Sequence, residues 1–97
     1  MAKSSYVYML ASRRYGTIYT GVTADLIKRT WEHQEGFIKG FTKEYGVKQL
    51  VWYETHEDIH SAITREKQIK KWNRAWKIRL IQEHNPLWRD LYKEVVG

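Results

Sequence analysis

The sequence contains no cysteine, so neither a disulfide framework nor a thiolate metal site is available to it. Long apolar runs are missing as well. The longest near the N-terminus, Tyr6 to Ala11, is too short for the hydrophobic region of a secretory signal. No stretch approaches the ~18 apolar residues of a membrane span. Linkers, internal repeats and low-complexity tracts are also lacking, and the one proline is Pro86. At 97 residues a second core would leave too little chain for either. These absences predict one domain over residues 1–97, cytoplasmic, with no membrane attachment and monomeric by default. Its core is modest, drawn from a chain that is 42% hydrophobic and 14% aromatic.

Acidic residues are scarce relative to basic ones, which leaves a formal net charge of +6. Such a surface attracts polyanions, and nucleic acid is the commonest one inside a cell. The imbalance is local. Between Lys67 and Leu80 lie Lys67, Lys70, Lys71, Arg74, Lys77 and Arg79, with no acidic residue among them and with Trp72 and Trp76 interleaved. Cations with aromatics between them suit a phosphate backbone and an unstacked base. A solvated helix face whose tryptophans pack inward, or a membrane-surface helix, would show a similar pattern. Lys28 and Lys43 join Lys67, Lys70, Lys71 and Arg74 as candidate nucleic-acid contacts.

Residues 6–10 and 17–22 are rich in aromatic and β-branched side chains and read as two strands of a hairpin. If Ala11 pairs with Gly16 across a four-residue loop, Tyr8 falls opposite Tyr19 and the two phenols share a sheet face. Thr23 is the predicted cap of a helix running to about Glu35, with an apolar stripe of Leu26, Ile27, Thr30 and Trp31. Arg29 and His33, four residues apart, lie together at the edge of that stripe. Residues 36–46 read as a loop carrying Lys39, Lys43 and Tyr45, and 49–54 as a third strand. Thr55 to Asp58 loosely fits a capping box, and a helix follows to about Asn73. A further helix covers 74–84. Asn85 and Pro86 then restart a short helix, docked by Leu87, Trp88 and Leu91. The order β-β-α-β-α-α predicts an α/β chain of the α+β type, a three-stranded antiparallel sheet flanked by helices.

One carboxylate is out of place. On a helical wheel with Ile59 at zero, Ile63 falls at about 40°, Ala62 at about 300° and Ile69 at about 280°. Glu66 falls at about 340°, in the middle of that apolar arc, and Asn73 at about 320°. A bare buried carboxylate costs several kcal/mol, so Glu66 must be paired, protonated or bound to a cation. A structural ion pair would suffice. So would convergence of Glu66 with the two phenols, Arg29 and His33 on one sheet face. His56 and His60 are one turn apart, but with no thiol or third histidine nearby they do not make a zinc site.

Taken together, these residues resemble the GIY-YIG endonuclease domain in its small stand-alone bacterial form. Tyr6-Val7-Tyr8 stands where the first signature triplet would be, and Tyr19-Thr20-Gly21 where the second would be. Arg29, ten residues past Tyr19, matches the family's arginine, His33 its histidine, and Glu66 its metal-binding glutamate. The first triplet lacks the family's glycine and the second its isoleucine. The family's asparagine is matched by Asn85 or, second, by Asn73. The resemblance implies a DNA endonuclease that attacks phosphodiesters in line with water. Tyr8 would be the general base, assisted by a hydrogen bond from Tyr19 and by Arg29, both lowering its pKa. Arg29 would clamp the phosphate, and Glu66 would hold one Mg²⁺ or Mn²⁺. His33 would orient or deprotonate Tyr8, or protonate the leaving oxygen. A non-catalytic nucleic-acid-binding module with the same fold is the alternative, and an interaction domain presenting its basic helix is a third.

Overall fold

A computed structural model describes residues 4–38 and 40–97, so Lys39 lies outside the described residues. The element order is β1 (Ser5–Ala11), β2 (Ile18–Thr23), α1 (Leu26–Gln34), α2 (Phe41–Glu44), β3 (Gln49–His56), α3 (Ile59–Lys70), α4 (Arg74–His84) and α5 (Tyr92–Val96). The sheet is antiparallel with strand order β2-β1-β3, so β1 is central. The α+β architecture is the one the sequence predicts.

Because β1 is covered on both sides, it reads as a nearly continuous apolar run rather than an alternating one. Val7, Met9 and Ala11 face a layer formed by α3 and α4, where they meet Ala62, Ile69 and Ile81. Tyr8 and Leu10 face the other way and meet Leu26 of α1 and Leu91. A bulge lies between Met9 and Leu10 of the β1–β3 ladder. It leaves Val51 without a partner and turns both Val51 and Trp52 into the first of these clusters.

The hairpin register differs from the predicted one. Ala11 pairs with Ile18, not Gly16, and the connection is the six residues 12–17. Two backbone carbonyls of this loop, Tyr15 and Gly16, accept hydrogen bonds from the Arg74 guanidinium at 2.6 and 2.7 Å. The Tyr15 ring packs on Trp88 at 5.3 Å, so contacts from α4 and beyond hold the loop wide. A slip of two residues keeps every side chain on its face, whereas a slip of one would reverse them. Tyr8 therefore faces Gly21, with Tyr19 a diagonal neighbour on the same face.

Most other differences are caps. Asp25, not Thr23, caps α1, its carboxylate accepting from Lys28 N at 3.1 Å. Asp58 caps α3 in the same way, and Thr55 belongs to β3. The buried stripe of α1 is Leu26, Thr30 and His33, while Ile27 and Trp31 are exposed. A short helix, α2, interrupts the predicted loop. Asn85 ends α4 instead of starting a helix, α5 begins only at Tyr92, and Leu87 is 65% exposed while Trp88 and Leu91 dock.

Candidate active site

Tyr8 is almost fully buried, and its ring lies across Gly21. A Cβ at position 21 would stand 2.6 Å from both Cζ and Oη of Tyr8 and 2.9 Å from Cε2 of Tyr19. Glycine is thus required here for space, because the phenol leans over the edge strand β2. The rings of Tyr8 and Tyr19 are 6.3 Å apart. From α1, His33 Nε2 reaches the Tyr8 hydroxyl at 3.1 Å, and its ring also sits 5.4 Å from that of Tyr19.

The other nitrogen of His33 is also engaged. Nδ1 lies 3.1 Å from Oγ1 of Thr42, itself buried. Tyr8, His33 and Thr42 form a buried chain of three polar groups drawn from β1, α1 and α2. Nothing in the sequence marks Thr42, since the contact depends on how the chain folds back through α2.

The electrostatics follow from this burial. Desolvation, with Arg29 adding to it and Glu32 opposing, lowers the His33 pKa to about 4, so the imidazole is neutral near pH 7. The Tyr8 hydroxyl is pushed above the ordinary phenol range, first by burial and then by Tyr19. Arg29 pulls it down and Glu66 pushes it up. The expected help from Tyr19 is therefore reversed: its Coulombic effect first, and its hydrogen bond after that, favour the protonated form of Tyr8. Of the predicted groups, Tyr8, Tyr19 and His33 pack together, while Arg29 and Glu66 bear on that hydroxyl only through their charge.

They do not all share one sheet face. Helix α3 belongs to the layer on the Val7–Met9 side, opposite the layer that holds Tyr8. The side chain of Glu66 is only 13% exposed, as its place in the apolar arc predicts, and it bridges to Lys70 Nζ at 3.2 Å.

Arg29 has a 41% exposed side chain and only a loose 3.9 Å pairing with Glu32, leaving most of its donors to a ligand. With Lys28 it flanks a surface depression of about 350 Å³. Lys43 follows Thr42 directly, at the rim of the buried chain. Lys67 and Lys71 are exposed around the last turn of α3, beyond Glu66. Arg74 is different, since its guanidinium is committed to the β1–β2 loop.

Asn85 is not brought to this group. Its buried amide donates to the carbonyls of Val51 and Arg89 at 3.1 and 2.8 Å and accepts from Arg89 N at 3.0 Å. With Leu91 N bonded to Leu50 O, it seals the outer side of β3, on the far edge of the sheet from β2. Asn73 caps α4, accepting from Trp76 N at 3.0 Å.

Among the described residues, no group of three or more His, Cys, Asp or Glu side chains could cage a metal. A lone sheltered carboxylate still fits a hard, oxygen-preferring divalent ion that keeps most of its water or takes phosphate ligands. Glu66 would be its protein ligand, with Lys70 as the competing cation.

Comparison with known proteins gives the family and the fold. The family described as the GIY-YIG catalytic domain matches residues 4–79. A UPF0213 protein of Syntrophus aciditrophicus is 37% identical over 81 residues, which are 82% of this chain and 92% of that protein. Another, from Clostridium perfringens, is 34% identical over 91 residues, 94% of this chain and 97% of its own length. The solution NMR structure of a UPF0213 protein from Bacillus halodurans superposes with a TM-score of 0.56 at 27% identity, covering 93% of this chain and 95% of that one.

Proposed function

The chain belongs to the GIY-YIG catalytic domain family, typically nucleases that act on DNA and generally use divalent metals, and from that premise we propose a metal-dependent DNA endonuclease. The observation that supports the reading best is the Tyr8 hydroxyl, held 3.1 Å from His33 Nε2, with the Tyr19 ring 6.3 Å from its own and a glycine kept beneath it at position 21. An ordinary core tyrosine needs none of these neighbours.

In this reading a phosphodiester docks against the outward guanidinium of Arg29, whose planar fork suits two phosphate oxygens. Water attacks phosphorus in line with the bond to the 3′ oxygen. As that bond breaks, Tyr8 takes the proton from the water while its own proton passes to His33 Nε2. Thr42 keeps the imidazole ring oriented for that transfer. The 3′ oxygen leaves with the bonding pair and is protonated by solvent, and the imidazolium, with a pKa of about 4, returns its proton to water. Arg29 neutralises the charge that develops on the equatorial oxygens. A divalent ion held by Glu66 would supply Lewis-acid stabilisation of the departing oxygen. Asn85 has a positioning role in this account: it holds the turn that closes β3 and touches no substrate.

The test incubates the purified protein with supercoiled, single-stranded and branched DNA, with Mn²⁺, Mg²⁺ or a chelator. Cleavage should require the metal and fall by roughly 10²-fold or more in Tyr8→Phe and in Glu66→Ala. Salt-sensitive DNA binding without cleavage would instead identify a binding module that keeps the fold. Cutting that survives both substitutions would place the chemistry elsewhere.

A further inference from the structure

Beyond the cleavage site, α4 exposes an aromatic surface that the mechanism does not use. Trp76 is 54% exposed, more than any other tryptophan in the described residues. Its ring meets that of Trp72 edge-on, at 6.1 Å and 79°. Trp72 is held firmly from behind. It packs on the core cluster, and the Arg65 guanidinium lies 5.2 Å from its ring. Arg65 is anchored in turn by Glu54 at 3.2 Å. Trp72 and Trp76, with Arg79, Leu80 and Glu83, line an open groove of about 220 Å³. That is less than the pockets that take drug-sized ligands, and suits a single planar ring system.

The surroundings select the occupant. Of the six cations from Lys67 to Arg79, Lys70 pairs with Glu66 and Arg74 with the β1–β2 loop, which leaves Lys67, Lys71, Lys77 and Arg79, with no acidic residue between Lys67 and Leu80. The centre of a protein–protein interface is depleted in charge, so an aromatic set among cations favours a polyanion that also carries flat apolar faces. Glu83, at one end of the groove, would repel a phosphate but can accept from the amino group of a base. The base therefore belongs in the groove and the phosphates on the lysines. In intact duplex the base faces are already stacked, so only an unpaired base can enter.

We infer that the Trp72–Trp76 groove of α4 binds an unpaired base of a single-stranded DNA segment, stacked on Trp76, with Arg79 and Lys71 on the adjoining phosphates. The inference rests on the nuclease reading for the choice of DNA as the polymer, and it makes a locally single-stranded substrate the preferred one.

The experiment measures binding of the full chain to fluorescently labelled 15-nucleotide single-stranded DNA, duplex and RNA by anisotropy, with chelator present so that nothing is cut. Trp76→Ala should weaken single-strand binding by roughly 5- to 100-fold, the range of one lost base–aromatic stack, and change duplex binding less than twofold. Trp76→Phe should restore most of the affinity, which separates stacking from any loss of fold. The inference is overturned if Trp76→Ala binds single strands as well as the wild type does. It is equally overturned if both substrates weaken together, or if RNA binds more tightly than DNA. Failure of the nuclease reading looks different: wild-type protein would then bind single strands through Trp76 yet cut nothing in Mn²⁺.

Discussion

A methyl group at position 21 would collide with two ring atoms of a buried phenol, and this is the sharpest single-residue dependence in the molecule. Tyr8 cannot retreat without leaving His33. Gly21→Ala should therefore cost about 1–3 kcal/mol in stability, as overpacking does, and should lower cleavage by more than the folded fraction explains. Thermal unfolding alongside a nicking assay checks both. His33 carries a second prediction. Its pKa is near 4 in the folded chain but ordinary once unfolded, so the unfolded state binds the proton more readily between those values. Stability present above about pH 6.5 is then lost as the pH falls toward 4, on the order of 2 kcal/mol. His33→Gln should flatten that part of the stability profile relative to wild type, measured by denaturant titration at each pH. At this scale the site was partly legible. Glu66 announced itself as a carboxylate in an apolar arc, and the Arg29–His33 spacing put both on one side of a helix. Thr42 was not, because its role arises only when α2 folds back onto α1. Nor did the residue pattern reveal that His33 is buried deeply enough to lose its charge.

Caps and edges decide the elements. Asp58 holds the start of the helix that carries Glu66, accepting from Ser61 N at 2.8 Å. Asp58→Ala should destabilise the chain by about 1 kcal/mol with little effect on cleavage per folded molecule. Asn85 separates the two readings of the family's asparagine. In its observed place the amide satisfies three backbone groups beside β3. Asn85→Ala should thus cost about 2 kcal/mol or more, while the protein that remains folded keeps its metal-dependent activity. A fully stable but inactive variant would return Asn85 to the catalytic group. Strand number, order along the chain and helix positions were readable from periodicity. The hairpin register was not, since it depends on Arg74 and Trp88 gripping the loop from remote parts of the chain. Caps were misplaced by two or three residues because threonine and aspartate compete closely for that position. The face of the sheet survived the error because a two-residue slip preserves side-chain direction.

On the scale of the whole molecule, two helical layers enclose a three-stranded sheet, and no helix among the described residues is long and apolar enough to cross a membrane. The net charge of +6 makes binding to DNA an electrolyte equilibrium. Affinity for single strands should fall by about tenfold or more between 50 and 200 mM salt, if about three phosphates are engaged. Replacing Lys67 and Lys71 together by glutamine should reduce the slope of log affinity against log salt by about one to two. The charge was visible from composition, whereas its division between an outward lysine face and a committed Arg74 required the fold.

The most direct test of the account asks whether one divalent ion finds all the predicted groups together. Side-chain NMR signals of Tyr8, Tyr19 and His33 should broaden on titration with Mn²⁺ and should stay sharp when Glu66→Gln is titrated in the same way. Broadening centred on His56 or His84, or an identical pattern in the variant, would contradict it.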